Sequence, residues 1–172
     1  MADFKKIEQK WQNKWEKTKI FEANVDPKKK KFFTSLIIPY VNGRLHIGHA
    51  FTFSRTDAYA RFKRMQGYNV LLAQGFHATG EPILGAIERL KAGDKDQIET
   101  FKTYGATDKD LGNFKKYGPE YVAKFWTEKI TEDAKSMGYS IDWRRIFITA
   151  IMPEFNRFIE WQYNTLKKKG LV

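Results

Sequence analysis

Two short apolar runs, Phe32 to Ile38 and Tyr68 to Ala73, lie on either side of one long helix-patterned stretch. That order constrains the fold more than anything else in the chain. Both runs are rich in β-branched and aromatic residues and have the length of strands rather than helices, and neither alternates cleanly with polar residues, as expected of strands buried on both faces. Between them, Leu45 to Gln66 reads as one helix with Gly67 as its stop. A connection of that length cannot close a hairpin, so the two strands are expected to lie parallel with the helix as their crossover. After the second strand, Phe76 to Gly80 reads as a turn and Pro82 falls inside the first turn of another helix.

The flanks are helical. Phe4, Ile7, Trp11 and Trp15 recur at helical spacing, and Pro27 with a run of four lysines breaks that helix. Asp94 to Gly118 is polar and weakly patterned, which predicts short helices and loops. Pro119 opens a helix to Met137 with Gly138 behind it, Arg145 to Thr149 is an extended piece, and Pro153 opens a last helix to Lys169 with Gly170 behind it. With 172 residues, one domain is expected. No window is apolar enough to span a membrane, and the amino terminus lacks the apolar block of a signal peptide, so the expectation is a cytoplasmic protein with no membrane partner.

All three histidines follow the two predicted strands: His46 and His49 the first, His77 the second. In open α/β sheets, ligands bind beyond the carboxyl ends of the strands. Spacing of three residues puts His46 and His49 on one face of the long helix at its start, where unpaired N–H groups and the positive dipole end suit a phosphate. Gly48 removes a side chain there, so a flat group such as adenine could lie against the backbone, and Asn42-Gly43 suits a tight turn before the helix. Two imidazoles aimed at an α-phosphate could hold a pentavalent transition state more strongly than the ground state. The chain has no cysteine and no acidic cluster beside the histidines, so no metal site is expected. The phosphate-loop and Gly-x-Gly-x-x-Gly patterns are absent. A net charge of +11, from 31 Lys and Arg against 20 Asp and Glu, favours a polyanionic partner.

The stretch from Pro39 to His49, ending His46-Ile47-Gly48-His49, resembles the signature of class I aminoacyl-tRNA synthetases. Arg61 to Leu71, Phe76-His77-Ala78-Thr79-Gly80-Glu81-Pro82-Ile83, Asp142-Trp143-Arg144-Arg145 and Phe158 to Gln162 resemble the leucyl enzymes of archaea and eukaryotes. Isoleucyl, valyl and methionyl enzymes share the signature but usually carry an acidic residue where His77 stands.

The resemblance implies an α/β fold, the first half of a Rossmann-like (HUP-type) parallel sheet flanked by helices, with an N-terminal helix and C-terminal helices. It divides the chain into a helical extension (1–30), a βαβ nucleotide-binding unit (31–93) and a mainly helical segment (94–172). It implies ATP contacts at Asn42, Gly43, His46, Gly48 and His49, with His46 and His49 catalytic. Ile38 and Tyr40 would line an amino-acid pocket, and His77 would face the substrate's amino group. The implied reactants are ATP with magnesium, leucine and the leucine-accepting tRNA. The family's second signature, Lys-Met-Ser-Lys-Ser, is absent, so a fragment or split subunit with a complementary C-terminal half is expected, inactive alone. Other class I synthetases, a nucleotidyltransferase with a similar turn, and a non-catalytic RNA-binding piece remain alternatives at this point.

Overall fold

The computed structural model describes residues 2–172. In chain order it has α1 (Phe4–Thr18), β1 (Lys31–Ser35), α2 (Ile47–Met65), β2 (Asn69–Phe76), α3 (Glu81–Lys91), α4 (Lys95–Thr103), α5 (Asp108–Tyr117), α6 (Pro119–Ser136), β3 (Ile146–Ile148) and α7 (Pro153–Lys168). The strands form one sheet in the order β1-β2-β3. β1 and β2 run parallel in a register from Lys31↔Asn69 to Ser35↔Ala73, with α2 as their crossover. The expected βαβ unit is therefore present.

Helix ends follow the punctuation in the sequence. Gly67, Gly138 and Gly170 each take a positive φ just past a helix, where a side chain would be strained. Pro82 and Pro153 fall in the first turns of α3 and α7, where the missing N–H costs nothing. α2 starts two residues later than expected because His46 is its N-cap.

The strand expected to be buried on both faces is not. β1 stops at Ser35 and alternates between exposed and half-buried positions, with Phe33 67% exposed. It is the edge of the described sheet, and its alternation leaves one face exposed. β2, with a neighbour on each side, is buried along nearly its whole length.

The chain divides into two compact units. One comprises residues up to Ile38, Arg44–Gly75 and Ile130–Ile146; the other comprises Pro39–Gly43, Phe76–Lys129 and Phe147–Val172. In the first, Leu36, Phe53, Val70, Leu72, Tyr139 and Ile141 form the core over which α2 lies. Buried Asp57, on the same face of α2 as Phe53 and Ala60, fastens the helix. It accepts from the Ser140 N–H at 2.7 Å and from Arg61 Nε at 2.7 Å, while Arg61 also donates to the Gly138 carbonyl at 2.6 Å.

In the second unit, the stretch expected to be weakly patterned holds two regular helices, α4 and α5. Phe101 stacks on Trp126 at 5.6 Å and meets Phe114 at 5.0 Å, all three buried. The caps were readable. Asp94 accepts from the Gln97 N–H at 2.8 Å, and Thr107 with Asp110 forms a reciprocal box. The Thr107 hydroxyl and N–H both donate to the Asp110 carboxyl, at 2.6 and 2.8 Å, and hold it below its ordinary range.

Candidate functional site

The loop entering α2 is held by a carboxylate that the sequence reading did not single out. Asp133 on α6 takes Arg44 Nε at 3.0 Å and the Leu45 N–H at 3.2 Å. A carboxylate gripped by a guanidinium and a backbone amide has little freedom, so it fixes the chain one residue before His46. Only α6's return to this loop, 89 positions along the chain, brings Asp133 into place, and no local pattern announces it.

From that anchor the two imidazoles come together with ring centroids 4.0 Å apart. His46 Nδ1 accepts from the Gly48 N–H at 3.0 Å, and His49 Nδ1 accepts from the His46 N–H at 3.3 Å. With both Nδ1 atoms acting as acceptors, the proton of each neutral ring lies on Nε2. Of the amides around this helix start, those of Leu45, His46 and Gly48 are already taken. The donors presented beyond the helix start are imidazole Nε2–H groups. Burial lowers the His49 pKa, and the neighbouring His46 lowers it further, which favours the neutral ring.

Gly48 has a local steric reason. A Cβ there would stand 2.8 Å from His46 Cε1, too close for the ring to keep its cap. Gly43 has no such constraint: its φ is not positive and a Cβ would meet nothing within 4 Å. Asn42 is exposed.

Tyr40 and His77 belong to the second unit and form a separate, well-determined pair. A parallel bridge joins their backbones, with the His77 N–H on the Pro39 carbonyl at 2.8 Å and the Val41 N–H on the His77 carbonyl at 3.2 Å. The rings meet edge to face at 4.4 Å. Thr79 Oγ1 lies 2.9 Å from His77 Nε2, and Thr149 Oγ1 lies 3.4 Å from Nδ1. Thr149 Oγ1 also accepts from the Ala78 N–H at 3.0 Å, so the half-buried imidazole is held between two hydroxyls. The sequence pointed to a site role for His77 but for neither threonine. Thr79 is close enough in the chain to suspect, whereas Thr149 arrives only through β3. Tyr40 and Ile38 remain half-open to solvent, at 50% and 42%.

Among the described residues no three His, Asp or Glu side chains converge as a metal cage would require, and no helix is long and apolar enough to cross a membrane.

A family model described as tRNA synthetases class I (I, L, M and V) matches residues 10–172. The chain is 44% identical over its whole length to a leucine–tRNA ligase of Aeropyrum pernix, and 46% identical to those of Archaeoglobus fulgidus and Methanocaldococcus jannaschii. It spans 18% of the length of each of these relatives. A crystal structure of the ternary complex of Agrobacterium radiobacter K84 LeuRS with tRNA and LeuAMS superposes with a TM-score of 0.72 over 99% of this chain and 18% of that one. Identity to it is 23%, so it speaks to the fold, a Rossmann-like α/β arrangement.

Proposed function

Since this chain belongs to the class I tRNA synthetases, the group for isoleucine, leucine, methionine and valine, we propose that it is the amino-terminal part of the catalytic domain of a leucine–tRNA ligase. In this reading residues 1–30 are a helical extension, 31–93 carry the nucleotide, and 94–172 lead away from it. Identity of 44% or more to leucine–tRNA ligases along the whole chain supports the choice of amino acid.

The chemistry rests on one observation, the two Nε2–H groups that the backbone-held rings of His46 and His49 present together. A carboxylate oxygen of leucine attacks the α-phosphorus of ATP, the bond to the bridging oxygen breaks, and pyrophosphate leaves. Negative charge builds on the α-phosphate oxygens as the phosphorus becomes five-coordinate. Fixed donors aimed there stabilise that state more than bound ATP, and one such donor is worth about 100- to 1000-fold in rate. A ribose hydroxyl of the tRNA then attacks the adenylate carbonyl, the carbonyl–phosphate bond breaks, and AMP leaves. Asn42, Gly43 and Gly48 complete the ATP contacts. Magnesium accompanying the triphosphate would be held mainly by phosphate oxygens and water. Ile38 and Tyr40 form the apolar wall for leucine, and His77, fixed between Thr79 and Thr149, faces the ammonium group.

The remaining part of the enzyme is a complementary C-terminal portion, and this chain alone binds ATP weakly and does not charge tRNA. Leucine-dependent ATP–pyrophosphate exchange, with that portion supplied, tests the reading. Exchange should appear only on mixing and only with leucine among the amino acids. In the reconstituted enzyme, His49→Ala should lower the exchange rate ~100-fold or more while changing ATP affinity only a few-fold. Equal losses in both would reduce His49 to ordinary ground-state binding, and robust charging by the chain alone would refute the division of labour.

A further inference from the structure

Of the apolar stripe of α1 only Trp15 is half-buried, beside Gly138 and the Arg61 guanidinium. Phe4, Ile7 and Trp11 are exposed, and α1 buries no residue. The stripe Gln9, Gln12, Asn13 and Glu16, at i, i+3, i+4 and i+7, instead lines a cleft of about 330 Å³. Tyr139 and Trp143 stand among the lining residues of the same cleft. Packing alone does not explain amides facing a hollow, and the volume is at the small end for a ligand site, enough for one flat heterocycle.

We propose that this cleft binds an unpaired nucleobase. Trp143 is the platform. The ring of Trp15 is occupied by Gly138 below and by the Arg61 guanidinium at 5.2 Å, whereas half-buried Trp143, packed against the core on one side, lines the cleft with Lys135 Nζ 5.7 Å from its ring. The amides provide an edge of mixed polarity. Gln12 Nε2 is committed to the Ser136 carbonyl at 2.9 Å and Gln9 Nε2 to Asn13 Oδ1 at 2.8 Å, which leaves the Gln oxygens as acceptors and Asn13 Nδ2 as a donor. A base edge carries both kinds of group, and single-stranded RNA is read by such stacking and edge contacts. A cationic ligand fits poorly. Of the two carboxylates lining the cleft, Glu22 is already paired with Arg144 at 3.1 Å, and Lys19 and Lys135 together outweigh Glu16, leaving positive charge suited to a base's attached phosphate.

The inference does not rest on the aminoacylation reading, and its test needs no charging activity. Fluorescence anisotropy of a labelled single-stranded oligoribonucleotide, and equilibrium dialysis with each of the four ribonucleoside monophosphates, are measured on the chain. Saturable binding should weaken ~10-fold or more in Trp143→Leu and in the milder surface variant Asn13→Ala. Binding of the strand but not the monophosphates would assign the base to RNA, and comparable binding of both would assign it to a free nucleotide. No saturable binding by either, equal binding of a fully paired duplex, or affinity unchanged in both cleft variants with native circular dichroism, would overturn the proposal.

Discussion

At position 48 two demands oppose each other. Alanine would favour the helix by about 1 kcal/mol over glycine, but its Cβ would displace the His46 ring. Gly48→Ala is therefore expected to leave the melting temperature within a few degrees while lowering activation at least ~100-fold in the reconstituted enzyme; retained activity would mean that the His46 cap is dispensable. The neighbouring ring carries a pH signature. His49 has a folded pKa below its ordinary value of 6.5, so above 6.5 it is neutral in both states and its full contribution is present. As pH falls from there toward the lowered value, the unfolded chain binds the proton first and stability is lost. Protonation at Nδ1 would also cost the bond from the His46 N–H. NMR titration should place the His49 midpoint below 6.5, and melts down to about pH 5.5 should show less acid loss in His49→Gln than in the parent. A midpoint above 6.5 would contradict this account. These local matters were largely legible, because His-x-Gly-His at a helix start brings its own geometry. Which nitrogen faces outward was not, since that depends on backbone bonds that exist only once the helix does.

At the scale of elements, α2 is held on its buried face by one carboxylate as well as by apolar packing. Asp57 satisfies the Ser140 N–H and Arg61, and Arg61 in turn reaches the Gly138 carbonyl. Asp57→Ala would leave these donors without their acceptor, at a cost of about 2–4 kcal/mol. Urea unfolding should show a lower midpoint at unchanged slope, and a loss under ~1 kcal/mol would mean that the network relaxes into other partners. The carboxylate of Asp142 has a related role beside it. Burial alone would raise its pKa, but hydrogen bonds from the Arg144 side chain and from the Ala23 and Arg144 amides take it below the ordinary range. The Asp142-Trp143-Arg144 segment thus clamps the chain that follows α1. Periodicity found α2, α6 and α7 within two residues. Over Asp94 to Gly118 it gave short helices without bounds, because the few apolar positions of α4 and α5, Phe101 and Phe114 above all, bury against Trp126 rather than along a long stripe.

For the whole molecule, the consequence of a described sheet with β1 at its edge is exposed aromatic surface. Phe33 on β1 and Phe51 on α2 are each about two-thirds exposed. An open edge beside such side chains pairs readily with other chains. Sedimentation at high concentration should show self-association that Phe33→Lys with Phe51→Lys reduces, and a parent chain that stays monomeric would argue that this surface is inert. The order of strand, long helix, strand and turn, and the stops at Gly67, Gly138 and Gly170, were determined by the sequence alone, because periodicity, proline and positive-φ glycine act within a few residues. Tertiary structure alone decided that β1 is half-exposed, that Asp133 anchors the loop before His46, and that Thr149 holds His77. Each depends on residues far apart in the chain meeting only after the fold has closed, and no pattern within a short window encodes such a meeting.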